Sequence, residues 1–152
     1  MHVYRIAKTQ HIHDLTGMGA YLYGGRWNPK RIGMVYSAES RALATVEYMV
    51  HVPLPLLPRD LSMATLHISD GIASKTVAIG TLPVGWRGYP APPALADLSM
   101  QWALSPESLL LRVPSAVVEH EWNVLINPIH PDMPHVTIAQ VEPYRFDARL
   151  WP

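Results

Sequence analysis

From Ser37 to Val52 the chain runs without a glycine or a proline, and Pro53, Pro55 and Pro58 follow at once. Each of those prolines lacks an amide hydrogen and restricts the residue before it, so a helix carried by this run must end with it. The pattern predicts a helix starting at Ser37, a residue that favours N-caps, with Glu39 in the first turn, where negative charge suits the macrodipole. On a 3.6-residue period Leu43, Val46, Glu47 and Val50 fall at i, i+3, i+4 and i+7 and share one face. Glu47 therefore points inward. An ionised carboxylate carried inward must take up a proton, find a cation and hydrogen-bond donors, or face a wet cleft. Arg26 and Tyr36 lie close upstream and are candidates to serve it. The alternative is a buried structural ion pair, which perturbs acids in the same way.

Elsewhere the elements are short. Val3, Tyr4 and Ile6 read as a first strand, and Gly33 to Ser37 as a second that ends where the Glu47 helix begins. Met63 to Ile68 reads as another strand, and the Pro- and Gly-rich stretch from Leu82 to Pro93 as loop. Ala94 to Leu104 carries Leu95, Leu98 and Trp102 at helical spacing, with prolines at its start and Trp102 in the core. Leu109 to Val113, Ala116 to Val118, Val124 to Ile126 and Val136 to Val141 look like successive strands separated by Pro, Asn and His turns. The sum is an α+β fold, mainly antiparallel with few helices, in a single domain over residues 1–152.

Composition narrows the setting. With 152 residues, 49% of them hydrophobic, the chain has material for one proper core. Lys plus Arg and Asp plus Glu number 12 each, so no basic field exists to hold a phosphate backbone, and direct nucleic-acid binding is not expected. The absence of cysteine removes disulfides and thiolate metal sites and suits a reducing, cytoplasmic compartment. No stretch approaches the roughly 20 apolar residues of a membrane span, so no membrane contact is expected. Among the 8 histidines, His11 with His13, and His130 with Asp132 and His135, invite a metal. Pro131 and Pro134 break any helix that would align the second group, and His-x-His recurs by chance, so no metal is expected. His51 lies one turn after Glu47 on the same helix side and is either a proton acceptor in a cleft or a surface residue.

The ordered set Tyr4-Arg5-Ile6, Leu15-Thr16-Gly17, Gly24-Gly25-Arg26-Trp27-Asn28, Val35-Tyr36, Ala44-Thr45-Val46-Glu47, Val113 to Val118 and Asn123 to Pro131 resembles the RES domain family over nearly the whole chain. That family takes its name from an Arg, a Glu and a Ser. Matched motif by motif, Arg26, Glu47 and Ser115 fall on those positions. The resemblance implies an ADP-ribosyltransferase-like fold and a toxin of a bacterial toxin–antitoxin pair that consumes NAD⁺ by hydrolysis, by phosphorolysis or by transfer of ADP-ribose to a protein. It also implies an Xre-type antitoxin as partner in a hetero-oligomer. One segment departs from the family's small Pro-Gly turn: Pro29-Lys30-Arg31-Ile32-Gly33 places two cations at the mouth.

The chemistry of NAD⁺ fits a single acid. Its nicotinamide is already a pyridinium cation, so breaking the bond to ribose C1′ releases a neutral group and needs no general acid, unlike the two-carboxylate arrangement of ordinary glycosidases. A carboxylate hydrogen-bonded to the ribose 2′-hydroxyl and close to C1′ stabilises the charge of an oxocarbenium-like transition state, by on the order of 3 kcal/mol for a well-placed group. Glu47 is the candidate for that role. Arg26, and less directly Arg5, are candidates for the pyrophosphate, since guanidinium forks match phosphate oxygens. Tyr36 is placed to stack on nicotinamide or ribose. Ser115, with no Gly-x-Ser-x-Gly elbow around it, is expected to bond substrate or to position Glu47. Each residue also has a plainer reading: Gly24-Gly25 as a turn, Tyr36 as half-buried core, Arg5 as the partner of an acid, Pro114-Ser115 as a strand-ending turn, Asn123 and Asn127 as satisfying backbone groups at strand ends. At the level of the whole chain, the competing reading is a non-catalytic module of the same fold that binds a nucleotide or a protein.

Overall fold

The computed structural model describes residues 1–53, 56–105 and 107–150. Leu54 and Pro55, within the proline-rich stop expected after Val52, lie outside the described residues. Strands β1 (His2–Lys8), β2 (Val35–Ala38), β3 (Leu61–Ile68), β4 (Ser74–Thr76), β5 (Leu110–Pro114), β6 (Trp122–Ile126) and β7 (Val136–Tyr144) form one seven-stranded sheet in the order β4-β5-β6-β2-β1-β3-β7. All neighbours pair antiparallel except β4 and β5. Helices α1 (Met18–Tyr23), α2 (Arg41–Met49) and α3 (Pro93–Ala103) complete the regular structure among the described residues, so the expected α+β, mainly antiparallel architecture holds.

The strand period of two distributes side chains to the two faces. Val3, Val35, Ala64, Leu66, Ile68, Leu110, Val124, Ile126 and Val136 join one buried cluster, which only strands and the loop residues Ile12, Leu15, Ile72, Leu109 and Met133 supply along with their strand neighbours. On the other face Leu111, Val113 and Leu125 pack under Leu95, Trp102 and Ala103 of α3. Met63 and Ala38 lie under Leu43 and Ala44 of α2, with Tyr4 and Ile6 against them. Trp102 is core, as expected, and its indole N–H donates to the Ser108 carbonyl at 3.1 Å.

Where the chain departs from the sequence reading, pairing or packing is the reason. The central helix begins at Arg41, and its N-cap is Ser40, whose Oγ accepts the Leu43 N–H at 3.0 Å. Ser37 belongs to β2 instead, paired with Val124, whose carbonyl accepts the Ser37 hydroxyl at 2.6 Å. Glu39 is consequently outside the first turn and pairs with Arg112 of β5, its second oxygen accepting Nη2 at 3.0 Å. The buried stripe of α2 is Leu43 and Ala44, while Val50, assigned to the same face, is 55% exposed. Ala116 to Val118 is a bend rather than a strand, because the Ser115 Oγ accepts the Val117 and Val118 N–H groups at 3.1 and 2.9 Å and turns the chain. Asn127 does serve a backbone group, donating to the Ala103 carbonyl at 2.8 Å.

The centre of the sheet is loosest at one junction. β1 pairs with β3 along its full length but meets β2 at the single position Tyr4↔Ala38. The two strands splay from there, and a cleft opens between them.

Candidate active site

The cleft has a volume of about 660 Å³, within the range of pockets that enclose whole small ligands. Its floor comes from β1 and β2, one side from α2, and the other from α1 and the loop after it. Arg5, Arg26, Tyr36 and Glu47 all line it. Four residues spread over the first third of the chain are thus brought together.

Glu47 follows Leu43 and Ala44 by one helical turn, at the border of the buried stripe, so its half-buried carboxylate enters the cleft rather than the core. Two donors reach one of its oxygens. Ser115 Oγ–H donates to Oε1 at 2.7 Å, and Asn123 Nδ2 donates to the same atom at 2.6 Å. The residue lines the cleft. The Ser115 hydroxyl is fully engaged, giving its proton to Glu47 and accepting two main-chain N–H groups. An oxygen whose lone pairs are both taken by main-chain N–H groups positions a neighbour and has none free with which to attack. Ser115 is itself buried, at the end of β5.

The Arg26 side is built from loops. Gly24 has φ +70°, and a Cβ added at Gly25 would stand 2.8 Å from the Tyr36 hydroxyl, so glycine is needed there for room. The buried Asn28 side chain donates to the carbonyls of Ala20, Pro29 and Ile32 at 2.8–3.0 Å and accepts the Tyr36 hydroxyl at 2.7 Å. The Tyr36 oxygen in turn accepts the Trp27 N–H at 3.1 Å. Its hydroxyl braces the loop, and the residue lines the cleft. Burial pushes the Tyr36 phenol up from its ordinary range. Arg26 then extends across to the 82–93 loop, where Nη1 donates to the Trp86 carbonyl at 2.7 Å and Nη2 to the Gly88 carbonyl at 3.0 Å. A guanidinium has five N–H donors, so three remain for a ligand. Burial pulls the Arg26 group down from its ordinary range, and the Glu47 charge opposes that.

Arg5 donates to the Asp14 main-chain carbonyl at 2.7 Å, and burial lowers it against the counter-pull of the Asp14 charge. It lines the cleft, and its hydrogen bond goes to a main-chain carbonyl rather than to a carboxylate. His51 is exposed and lines the cleft. Asn123 is the site residue that reading the strands one by one missed. Its side chain serves Glu47 instead of a backbone group, and its only sequence signal is a polar amide in an otherwise apolar strand. Among the described residues no group of three or more His, Cys, Asp or Glu is arranged to hold a metal. None of the described helices is long and apolar enough to cross a membrane.

A family model described as "RES domain" matches residues 2–147. A protein of Sphingobium sp. (strain YBL2) named "Prs ADP-ribosylating toxin" is 41% identical over 146 residues, covering 95% of this chain and 91% of that one. "Toxin Res" of Yersinia enterocolitica is 35% identical over 153 residues, covering 99% of each. The toxin–antitoxin complex MbcT–MbcA of M. tuberculosis contains a chain of similar fold, with a TM-score of 0.68 at 18% identity, over 93% of this chain and 82% of that one.

Proposed function

The chain belongs to the RES domain family and is a toxin of that kind, and we propose that it consumes NAD⁺ by cleaving the bond between nicotinamide and ribose C1′. The observation that carries this reading is the Glu47 carboxylate, pinned through Oε1 by Ser115 and Asn123 and lining a cleft that also holds Arg26. In this mechanism Oε2 accepts the ribose 2′-hydroxyl and stands by C1′. As the bond to the pyridinium nitrogen lengthens, positive charge builds on the ribose, and the fixed anion stabilises it without having to reorganise. Nicotinamide leaves as a neutral molecule. The three free N–H groups of Arg26 grip the pyrophosphate, with Arg5 in support, and the Tyr36 ring supplies an apolar wall for nicotinamide or ribose. Ser115 and Asn123 position the carboxylate. Water or phosphate completes the reaction at C1′. The name of the Sphingobium relative favours a second outcome, transfer of ADP-ribose to a protein, which uses the same Glu47 and Arg26.

The biological setting follows the same reading. Residues 1–152 act as one RES domain in the cytoplasm, held in a hetero-oligomer by an Xre-type antitoxin protein, and NAD⁺ is substrate rather than resident cofactor. The test uses the full chain, produced with its antitoxin and freed from it, incubated with NAD⁺ while nicotinamide is followed. Release well above that of a Glu47→Gln variant is the expected result. No release above that control, with or without phosphate, would put the non-catalytic binding module in its place.

A further inference from the structure

Two histidines from opposite ends of the first half of the chain meet on the sheet. His2, at the start of β1, and His67, next to the end of β3, are direct cross-strand partners. The neighbouring residues Met1 and Ile68 exchange both main-chain bonds, at 2.7 and 2.9 Å, so theirs is a hydrogen-bonded position of the ladder. Positions alternate along an antiparallel pair. His2 and His67 therefore occupy a non-hydrogen-bonded position, where facing Cα atoms come within about 4.5 Å and side chains stand closest. Their ring centres are 5.3 Å apart, with the planes tilted by 56°.

Both side chains are exposed, and among the described residues neither imidazole makes a hydrogen bond or an ion pair. Their ring nitrogens are open to a ligand from solvent. His2 shares its face of β1 with Tyr4, two residues on, which packs against the Leu43 and Ala44 side of α2. Arg41 lies over the Tyr4 ring and is bound to Glu142 at 2.7 Å, so its charge is matched and does not stand alone against an incoming cation.

We propose that His2 and His67 form an exchangeable site for a divalent cation of the zinc, nickel and copper class, with water in the remaining coordination positions. Imidazole suits these ions, whereas magnesium and calcium take oxygen ligands. With nitrogen about 2.0–2.1 Å from the metal, two imidazoles on one tetrahedral ion have ring centres about 5 Å apart. The observed separation meets that figure without any movement of β1 or β3. Two protein ligands are fewer than a structural or catalytic zinc centre takes, which makes the ion exchangeable. Bound there it ties the start of β1 to β3, and it stabilises the fold by mass action. Neither histidine lines the cleft, so the site stands apart from the NAD⁺-cleaving reading. No local spacing such as His-x-His marks the pair, which the register of β1 on β3 creates.

The test titrates the untagged full chain with Zn²⁺ by calorimetry and follows its melting temperature in parallel. The expected result is one ion per chain and a melting temperature that rises with Zn²⁺ and not with Mg²⁺. His2→Ala and His67→Ala should each weaken binding by at least about tenfold, the least that losing even a residue supporting a ligand costs, and each should abolish the rise. The rise is measured from each variant's own metal-free value, so a change in basal stability does not enter it. A double His11→Ala, His13→Ala variant should bind as the unsubstituted chain does. Absence of Zn²⁺ binding, binding that survives both single substitutions, or binding lost with His11 and His13 instead overturns the site.

Discussion

The two sides of the cleft hold their charges by different means. Glu47 rides on α2 and is fixed by a side chain from β6 and by that of Ser115, the residue directly after β5, so elements of the sheet and a helix converge on one carboxylate oxygen. Arg26 sits in an irregular loop, and its guanidinium is tethered to main-chain carbonyls of a second loop. The difference suits the two roles proposed for them. A group that stabilises charge at one carbon must be right to a fraction of an ångström, which regular elements provide, while a group that grips an extended anion must give as the ligand enters.

The contrast can be broken or sharpened by substitution, and the largest effect belongs to the carboxylate. Glu47→Gln keeps the shape and removes the charge, and nicotinamide release should fall on the order of 10²–10³-fold, chiefly in kcat. A loss of less than about tenfold would mean the charge does not act at C1′. On the other side, Arg26→Lys keeps the charge and loses the fork. Steady-state kinetics should show kcat/KM lower by about 10- to 100-fold, mainly through KM. A pure kcat effect would place Arg26 at the reacting carbon instead.

Tyr36→Phe probes the bracing of the Arg26 loop. It leaves the Trp27 N–H and the Asn28 Oδ1 without the hydroxyl, and denaturant unfolding should show a loss of about 1–3 kcal/mol. Unchanged stability would show that the loop is held by other means. Asn123→Ala and Ser115→Ala each free one bond of Glu47 Oε1, and each should lower kcat by about tenfold, or about 1.4 kcal/mol. In the double variant the losses should add to less than their sum, because both donors serve one atom. Strict additivity would argue that they act independently.

The smallest effect is on stability in acid. The Asp14 carboxyl is held below the usual carboxylate range, first by the hydrogen bonds from the Thr16 side chain and main chain. A native value below the unfolded one means that the folded state binds fewer protons, so this contribution is fully present above about pH 4 and is lost as pH falls through the depressed native value. Asp14→Asn should therefore flatten the decline of melting temperature in acid slightly, since the group is largely solvated and well screened. An unchanged acid profile would assign that decline to other carboxyls.

How much of this was legible in the chain depends on how local the cause is. The run that became α2, its inward acid, the strands β1, β3, β5, β6 and β7 and the helix α3 follow from period and from proline placement, which act within a few residues. Helix α1 left no such mark, because its six residues include Gly19 and expose Met18, Tyr21, Leu22 and Tyr23 with no buried stripe. β4 is three exposed residues that exist as a strand only because β5 lies alongside. Ser37 and Ser40 are equally good caps on paper, and the pairing of β2 with β6 decided between them.

The sequence by itself determined that an acid stands on the apolar side of a short helix, that an arginine follows two glycines, and that short strands surround them, since these are matters of neighbours along the chain. Only the tertiary structure decided that Asn123, 76 positions away, bonds the acid, and that Arg26 ties to carbonyls 60 and 62 positions on. The physical reason is that a hydrogen bond across the fold depends on the register of the strands and on where β1 and β2 part. Both are fixed when the whole sheet packs, and no single segment carries them.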